Sequence, residues 1–170
     1  MPLEFQPDNV FQSRKKLDAE LKMISVKTAP LNQRIGDVNW FVVENVIGDQ
    51  FQQTSTGTGV PVTRQWEAAL NDVLSQSLMF KDSSTRKVSL LVEVQKIEMI
   101  GLVSIDYDVA AKYRIMDRET GTDIYSKTIQ SIGTAEPGEA FVGSVRARIA
   151  FVRAVKANIA KFLSDFQSTL

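Results

Sequence analysis

Histidine and cysteine are both absent from this 170-residue chain, and together the two absences exclude more chemistry than any other feature of it. Histidine is the usual proton shuttle near neutral pH and the commonest metal ligand. Cysteine and histidine also supply nearly all zinc sites and the familiar nucleophile–base pairs. Carboxylates, lysines, tyrosines and hydroxyls are what remain. Long apolar runs are missing too: none approaches the ~20 residues that span a bilayer. Charge of one sign is lacking, since 20 basic and 20 acidic side chains cancel, which argues against a nucleic-acid footprint over the whole surface.

What is present is an ordinary globular composition, with 44% hydrophobic and 24% charged residues. A chain of this length is read as a single domain over 1–170, large enough to fold without a disulfide or metal staple. The N-terminus, MPLEFQPDNVFQSRKK, has no basic segment followed by an apolar one, so no signal peptide is read. Two locations stay open. One is the cytosol; the other is the periplasm, for a mature lipoprotein whose only cysteine stood at a removed lipidation site.

The clearest element is Val103–Met116, where Val103, Ile105, Tyr107, Val109, Ala111, Tyr113 and Ile115 alternate with a more polar set. That period of two predicts a long strand with one buried face. Asp117-Arg118-Glu119-Thr120-Gly121 supplies turn chemistry, and Thr122–Ile132 reads as the returning strand of a long hairpin. Lys87–Ile97 is a third strand, joined through Glu98–Leu102 into an antiparallel meander. Trp66, Leu70, Val73, Leu74 and Leu78 recur at helical spacing after Pro61, with Thr63 as N-cap. A longer helix follows Pro137-Gly138, its stripe running through Val145, Ile149, Val152, Ile159, Phe162, Leu163 and Phe166, widened by Phe141, Phe151 and Val155.

Leu21–Lys27 and the doubly apolar Trp40–Ile47 complete the strands, while residues 1–20 form an arm or a short helix. The loop Thr54-Ser55-Thr56-Gly57-Thr58-Gly59 is the segment best placed to move. The expected fold class is α+β: a two-layer, mostly antiparallel sheet with a long hairpin, packed on one face by two main helices.

Few constellations carry chemistry. Asp106 and Asp108 share a strand face at a spacing that would suit paired carboxylates, although a solvated strand face explains them more simply. Asp117–Asp123 offers alternate oxygen ligands but lacks calcium-loop spacing, so a tight turn is preferred. The loop of Thr54, Thr56, Gly57, Thr58 and Gly59 precedes a helix without the Gly-Lys-Ser/Thr ending of a phosphate loop. Arg146, Arg148, Arg153 and Lys156 give the last helix a basic side, either a solvated face or a surface for an acidic protein or lipid head groups. No cofactor and no metal site are expected. Trp40 and Trp66 are read as core anchors.

Val60-Pro61-Val62-Thr63-Arg64-Gln65-Trp66-Glu67-Ala68-Ala69-Leu70 resembles the Arg-x-Trp-x-x-x-Leu helix of the ABC-transport auxiliary lipoproteins. Strands Ser89–Ile97 and Ile105–Met116, the Asp-x-x-Thr-Gly turn and the alanine-rich last helix are similar to that group. They also look like other small outer-membrane lipoproteins and the amino-terminal domain of TolB-type periplasmic proteins. The likeness covers about residues 60–166. It implies a periplasm-facing accessory protein that binds envelope or transporter proteins, catalyses nothing and contacts no nucleic acid. It also implies tethering through a lipid anchor, which this sequence does not contain. Sheet edges, the loop at Thr54–Gly59 or the basic helix side are the expected binding surfaces. Two alternatives stand beside this reading. One is a small-ligand or lipid carrier with a cleft between helix and sheet. The other is an enzyme built on Asp106, Asp108 and Tyr107 or Tyr125.

Overall fold

A computed structural model of the chain describes residues 4–9, 12–28, 62–101 and 103–170. In order, these form strand β1 (Glu20–Thr28), helix α1 (Val62–Ser77), strands β2 (Lys87–Ile100), β3 (Ile105–Asp117) and β4 (Asp123–Ala135), and helix α2 (Gly143–Thr169). The strands make one sheet in the order β1-β2-β3-β4, with β1 parallel to β2 and the other pairs antiparallel. This is the expected α+β fold. The strand expected at Trp40–Ile47, the Thr54–Gly59 loop and Pro61 lie outside the described residues.

The period-two reading of β3 holds from Ile105 to Ile115, whereas Val103, expected on the same buried face, precedes the strand and is exposed. Ile105, Tyr107, Val109, Ala111, Tyr113 and Ile115 are all buried against the helices. On β2 the inward set is Val88, Leu90, Val92 and Val94, then Ile97; the change of parity comes from a register shift between Val94 and Lys96. One extra residue there lets both ends of a 14-residue strand serve the same core. At the β3–β4 turn, the Asp117 carboxylate accepts hydrogen bonds from the backbone N–H groups of Glu119 and Thr120 at 2.9 and 3.2 Å. Gly121 takes a φ of +71° there, which a side chain would resist.

Helix α2 departs from its expected stripe. Its buried row is Ala147, Ala150, Phe151, Ala154, Val155, Asn158, Ile159, Phe162, Leu163 and Phe166, a run of i, i+3, i+4 steps. Val145 is exposed, and Phe141 lies ahead of the helix, fully exposed, rather than on a second buried row. The reason is the close approach to β4. A Cβ on Gly133 would stand 2.2 Å from both the Ala150 carbonyl oxygen and the Ala154 nitrogen. Only small side chains fit beside such a contact, so Ala147, Ala150 and Ala154 join Phe151, Phe162 and Phe166 in the buried row, which pattern reading gives to large residues alone. Farther along, where the helix lifts, the Tyr113 and Phe162 rings stack at 4.2 Å.

A small polar network is built into this interface. Asn158 is fully buried; its amide nitrogen donates to the Ile129 carbonyl at 2.9 Å and the Ser131 hydroxyl at 3.0 Å, and its oxygen accepts from the Tyr113 hydroxyl at 2.9 Å. A satisfied buried amide fixes the rotation of α2 over β3 and β4, because any slip would leave these groups unpaired.

The described part of residues 1–20 is an arm, not a helix. Ser13 and Leu17 donate backbone hydrogen bonds to Ser77 and Met79 at 2.9 and 2.7 Å. Ahead of them, the buried Phe5 ring sits edge-on to both Trp66 of α1 and Phe151 of α2. Thr63 falls inside the first turn of α1 rather than at its cap, and Trp66 is a core anchor as expected.

Candidate functional site

Eight large hydrophobic side chains are exposed among the described residues, and most of them gather in two places. The first is a groove between the outer side of β1 and the C-terminal half of α1, about 590 Å³ in volume. Its apolar lining includes Leu21, Ile24, Leu74 and Phe80, with Met23 and Leu78 exposed; Asn71, Ser75, Glu20 and Asp82 add polar groups. Among the described residues β1 is the outer strand of the four-stranded sheet, and the Glu67 carboxylate accepts a hydrogen bond from the Val26 N–H at 3.3 Å. A register shift between Leu21 and Met23 turns the strand locally at the groove.

Leu78 is the unusual residue. It follows the last turn of α1 with φ +56°, the left-handed conformation that helix ends normally give to glycine. A branched side chain there costs about 1–2 kcal/mol. Leu78 also leaves about half its surface in water. Neither the backbone nor the core benefits from a leucine at this position, and its side chain lines the groove.

The second gathering is at one end of the molecule. There β2 passes into β3 through Gly101–Ser104, and β4 passes into α2. Val103 is 75% exposed, Phe141 is fully exposed, and Ile100, Val142 and Val145 are close to half exposed or more. Arg146 holds the two loops together by donating to the Val103 carbonyl at 2.8 Å. Gly101, at φ +94°, makes the turn that carries Val103; a Cβ there would meet the Ser104 carbonyl oxygen at 2.4 Å.

The basic residues singled out from the sequence are largely engaged within the fold. Arg153 makes a forked pair with Glu139 at 2.5 and 2.7 Å and also donates to the Thr134 carbonyl at 2.7 Å. The guanidinium lowers the Glu139 pKa from its ordinary carboxylate value to about 2. Lys156 reaches Asp8 of the arm at 2.6 Å, and Lys161 donates to the Gln130 carbonyl at 3.0 Å. Arg148 is half-buried on the same helix. What reads in the sequence as a basic side is used to clasp the arm and the outer edge of β4.

Asp106 and Asp108 share the sheet face opposite the helices, as their spacing requires. Asp108 is not solvated, however: it is 6% exposed, held by Lys96 at 2.6 Å and by the Gln130 amide at 2.9 Å. Burial pushes its carboxyl up, but the ammonium and the amide outweigh this and keep it below the ordinary carboxylate range. Such a group stays ionised and engaged, a poor proton donor. Among the described residues no three acidic side chains converge to hold a metal ion, and no helix is long and apolar enough to cross a membrane. The helix–sheet interface is filled by Trp66, Tyr107, Tyr113, Phe151 and Phe162, all fully buried.

Sequence reasoning did not reach the groove or the apolar end. The available signals were a leucine where α1 calls for glycine, and Phe141-Val142 standing between Gly138 and Gly143. Both become evident only when burial is known.

No protein-family model matches the sequence, and no curated protein does. Solved structures do match. A Xanthomonas campestris protein of family DUF330 superposes with a TM-score of 0.60 at 10% identity, over 98% of this chain and 92% of its own. A minor lipoprotein from Acinetobacter baumannii (0.46, 9% identity, 87% and 94% covered) and PelC from Paraburkholderia phytofirmans (0.47, 14%, 92% and 92%) are also similar. The first likeness shows a shared fold; identities this low show the fold alone.

Proposed function

We propose that this chain is a non-enzymatic accessory domain of the bacterial cell envelope. In its native form it is lipid-anchored and faces the periplasm, and it binds another envelope or transport protein through the groove between β1 and α1. The observation that carries the reading is Leu78: a bulky side chain kept in a left-handed backbone, half in water, at the lip of a 590 Å³ groove. Strain retained without a packing return is characteristic of binding surfaces. The sequence resemblance to auxiliary lipoproteins supplies the cellular setting, and the fold shared with the DUF330 protein is compatible with it. The engaged state of Asp108 and the lack of histidine and cysteine support the absence of catalysis.

The test uses the native gene product in cells. A photo-crosslinking amino acid in place of Leu78 puts the crosslinker at the lip of the groove without any thiol chemistry. We expect a discrete crosslinked product in the membrane fraction and incorporation of a clickable palmitate analogue. An unlabelled, cytosolic product, or no crosslink at position 78, would refute the reading. Turnover by the purified chain that is lost in Asp106→Asn would refute its non-enzymatic part. Leu78→Gly makes a second prediction. Relief of the positive φ should raise stability by about 1 kcal/mol, seen as a higher denaturant midpoint, while capture of the partner falls.

A further inference from the structure

We infer that the end of the molecule formed by Val103, Phe141, Val142 and Val145 inserts into the surface of a lipid bilayer. Three observations converge on a membrane rather than a second protein. First, the apolar side chains come from two separate segments and stand out from the fold: among the described residues Phe141 is fully exposed and Val103 three-quarters so. A protein partner would need a matching cavity, whereas lipid deforms around a projecting tip. Contiguous exposed apolar surface on a small domain marks an interaction site.

Second, the arm points to the same end. Asp8 contacts Lys156, while Phe5 packs on Phe151, five residues closer to the start of α2. Five helical residues are about 7.5 Å along the axis. From Asp8 back to Phe5 the chain therefore climbs toward the end that carries Phe141. An anchor upstream of the arm would hold the domain with this end facing the bilayer. In that respect the inference rests on the lipid-anchored reading above.

Third, among the described residues Arg146 and Arg153, the cations beside this end, are engaged within the fold. Arg146 donates to the Val103 carbonyl, and Arg153 is forked onto Glu139. Attachment is therefore driven by apolar burial, not by attraction to anionic head groups, and it persists in salt and on zwitterionic lipid. The clasp by Arg146 holds Val103 beside the start of α2, so the two loops meet the surface together.

The experiment uses the full chain and its lack of cysteine. Val142→Cys carries an environment-sensitive dye; Ser126→Cys, exposed on β4 toward the opposite end, carries the same dye as a reference. Each is titrated to excess lipid with vesicles of phosphatidylcholine alone and of phosphatidylcholine with phosphatidylglycerol, at low and high salt. We expect the dye at position 142 to shift to the blue and brighten with both vesicles at both salt concentrations, and the dye at 126 to stay unchanged. Phe141→Ser in the Val142→Cys background should weaken partition by about tenfold or more. Because Phe141 contributes nothing to the core, this variant keeps its fold, and Val103→Ser gives an independent second loss.

Silence of the position-142 dye with every vesicle would overturn the inference. So would a response confined to anionic vesicles and abolished by salt, which is adsorption without insertion. A shift that follows protein concentration without lipid would instead assign this end to a second copy of the chain. Crosslinking at position 78 needs no vesicle, so loss of the groove reading and loss of this one are separately visible.

Discussion

Gly133 stands where α2 comes closest to the sheet, and its missing side chain is the condition for that contact. The atoms that a Cβ would strike are the Ala150 carbonyl oxygen and the Ala154 nitrogen, both backbone and both 2.2 Å away. Side chains can rotate out of an overlap; a helix backbone moves only as a whole. Shifting α2 would also break the Ser131 hydroxyl bond to the Ala154 carbonyl (2.8 Å) and loosen the Asn158 network. Gly133→Ala is therefore expected to cost about 3 kcal/mol, the upper end of the range for overpacked cores. Gly138, with nothing within 4 Å of its would-be Cβ, is the matched control. Urea unfolding of the two variants should show a large drop for the first and almost none for the second. Equal midpoints would mean that α2 does not approach β4 this closely.

At the scale of elements, both outer strands of the described sheet are blunted, as exposed strand edges in natural proteins usually are. On β1 the device is the register shift with Glu67 on the Val26 N–H. On β4 it is α2: Arg153 and Lys161, eight positions and about two turns apart, donate to the outward carbonyls of Thr134 and Gln130. Lys161→Glu removes one cap and places a carboxylate beside a carbonyl. The expected result is a modest loss of stability, about 1 kcal/mol, together with concentration-dependent self-association in sedimentation. A variant that keeps the parent's mass at all concentrations would show that the β4 edge needs no cap.

This element also shows what the sequence could and could not disclose. Period-two and i, i+4 patterns reveal the meander, the Asp117–Gly121 turn and both helices, because those depend on neighbours in the chain. The role of Arg153 depends on the register of β4 beneath it, and the burial of Asp108 on Lys96 and Gln130 from two other strands. Neither pairing leaves a local trace. The alanine contact is hidden for another reason: the closest approach selects the smallest side chains, whereas pattern reading gives weight to the largest. The candidate surfaces were the least legible, since exposure is visible only after the core has been filled.

For the molecule as a whole, the core has a distinct dependence on alkaline pH. Its three tyrosines, Tyr107, Tyr113 and Tyr125, are all that the chain contains, and all are buried. Burial raises the Tyr107 phenol to about 12 and pushes Tyr113 up as well. For Tyr125 burial acts first, and the Asp165 carboxylate, which accepts its hydroxyl at 2.8 Å, adds to the rise. A phenol whose folded pKa lies above its unfolded value near 10 contributes stability that is complete below pH ~10 and is lost as pH climbs toward the folded value. Each fully enclosed phenol removes about 1.4 kcal/mol per pH unit in that window, so Tyr107 and Tyr113 together remove about 3 kcal/mol per unit, with a smaller share from Tyr125. Against a total stability of about 5–15 kcal/mol, a loss of this size should bring on unfolding in the alkaline range above pH ~10. The phenolate absorbance should then appear together with the loss of far-ultraviolet circular dichroism, in one cooperative step. Phenolate absorbance rising near pH 10 while the dichroism stays native would show that these rings are open to solvent. The packed interface between α2 and the sheet would then have to be redrawn.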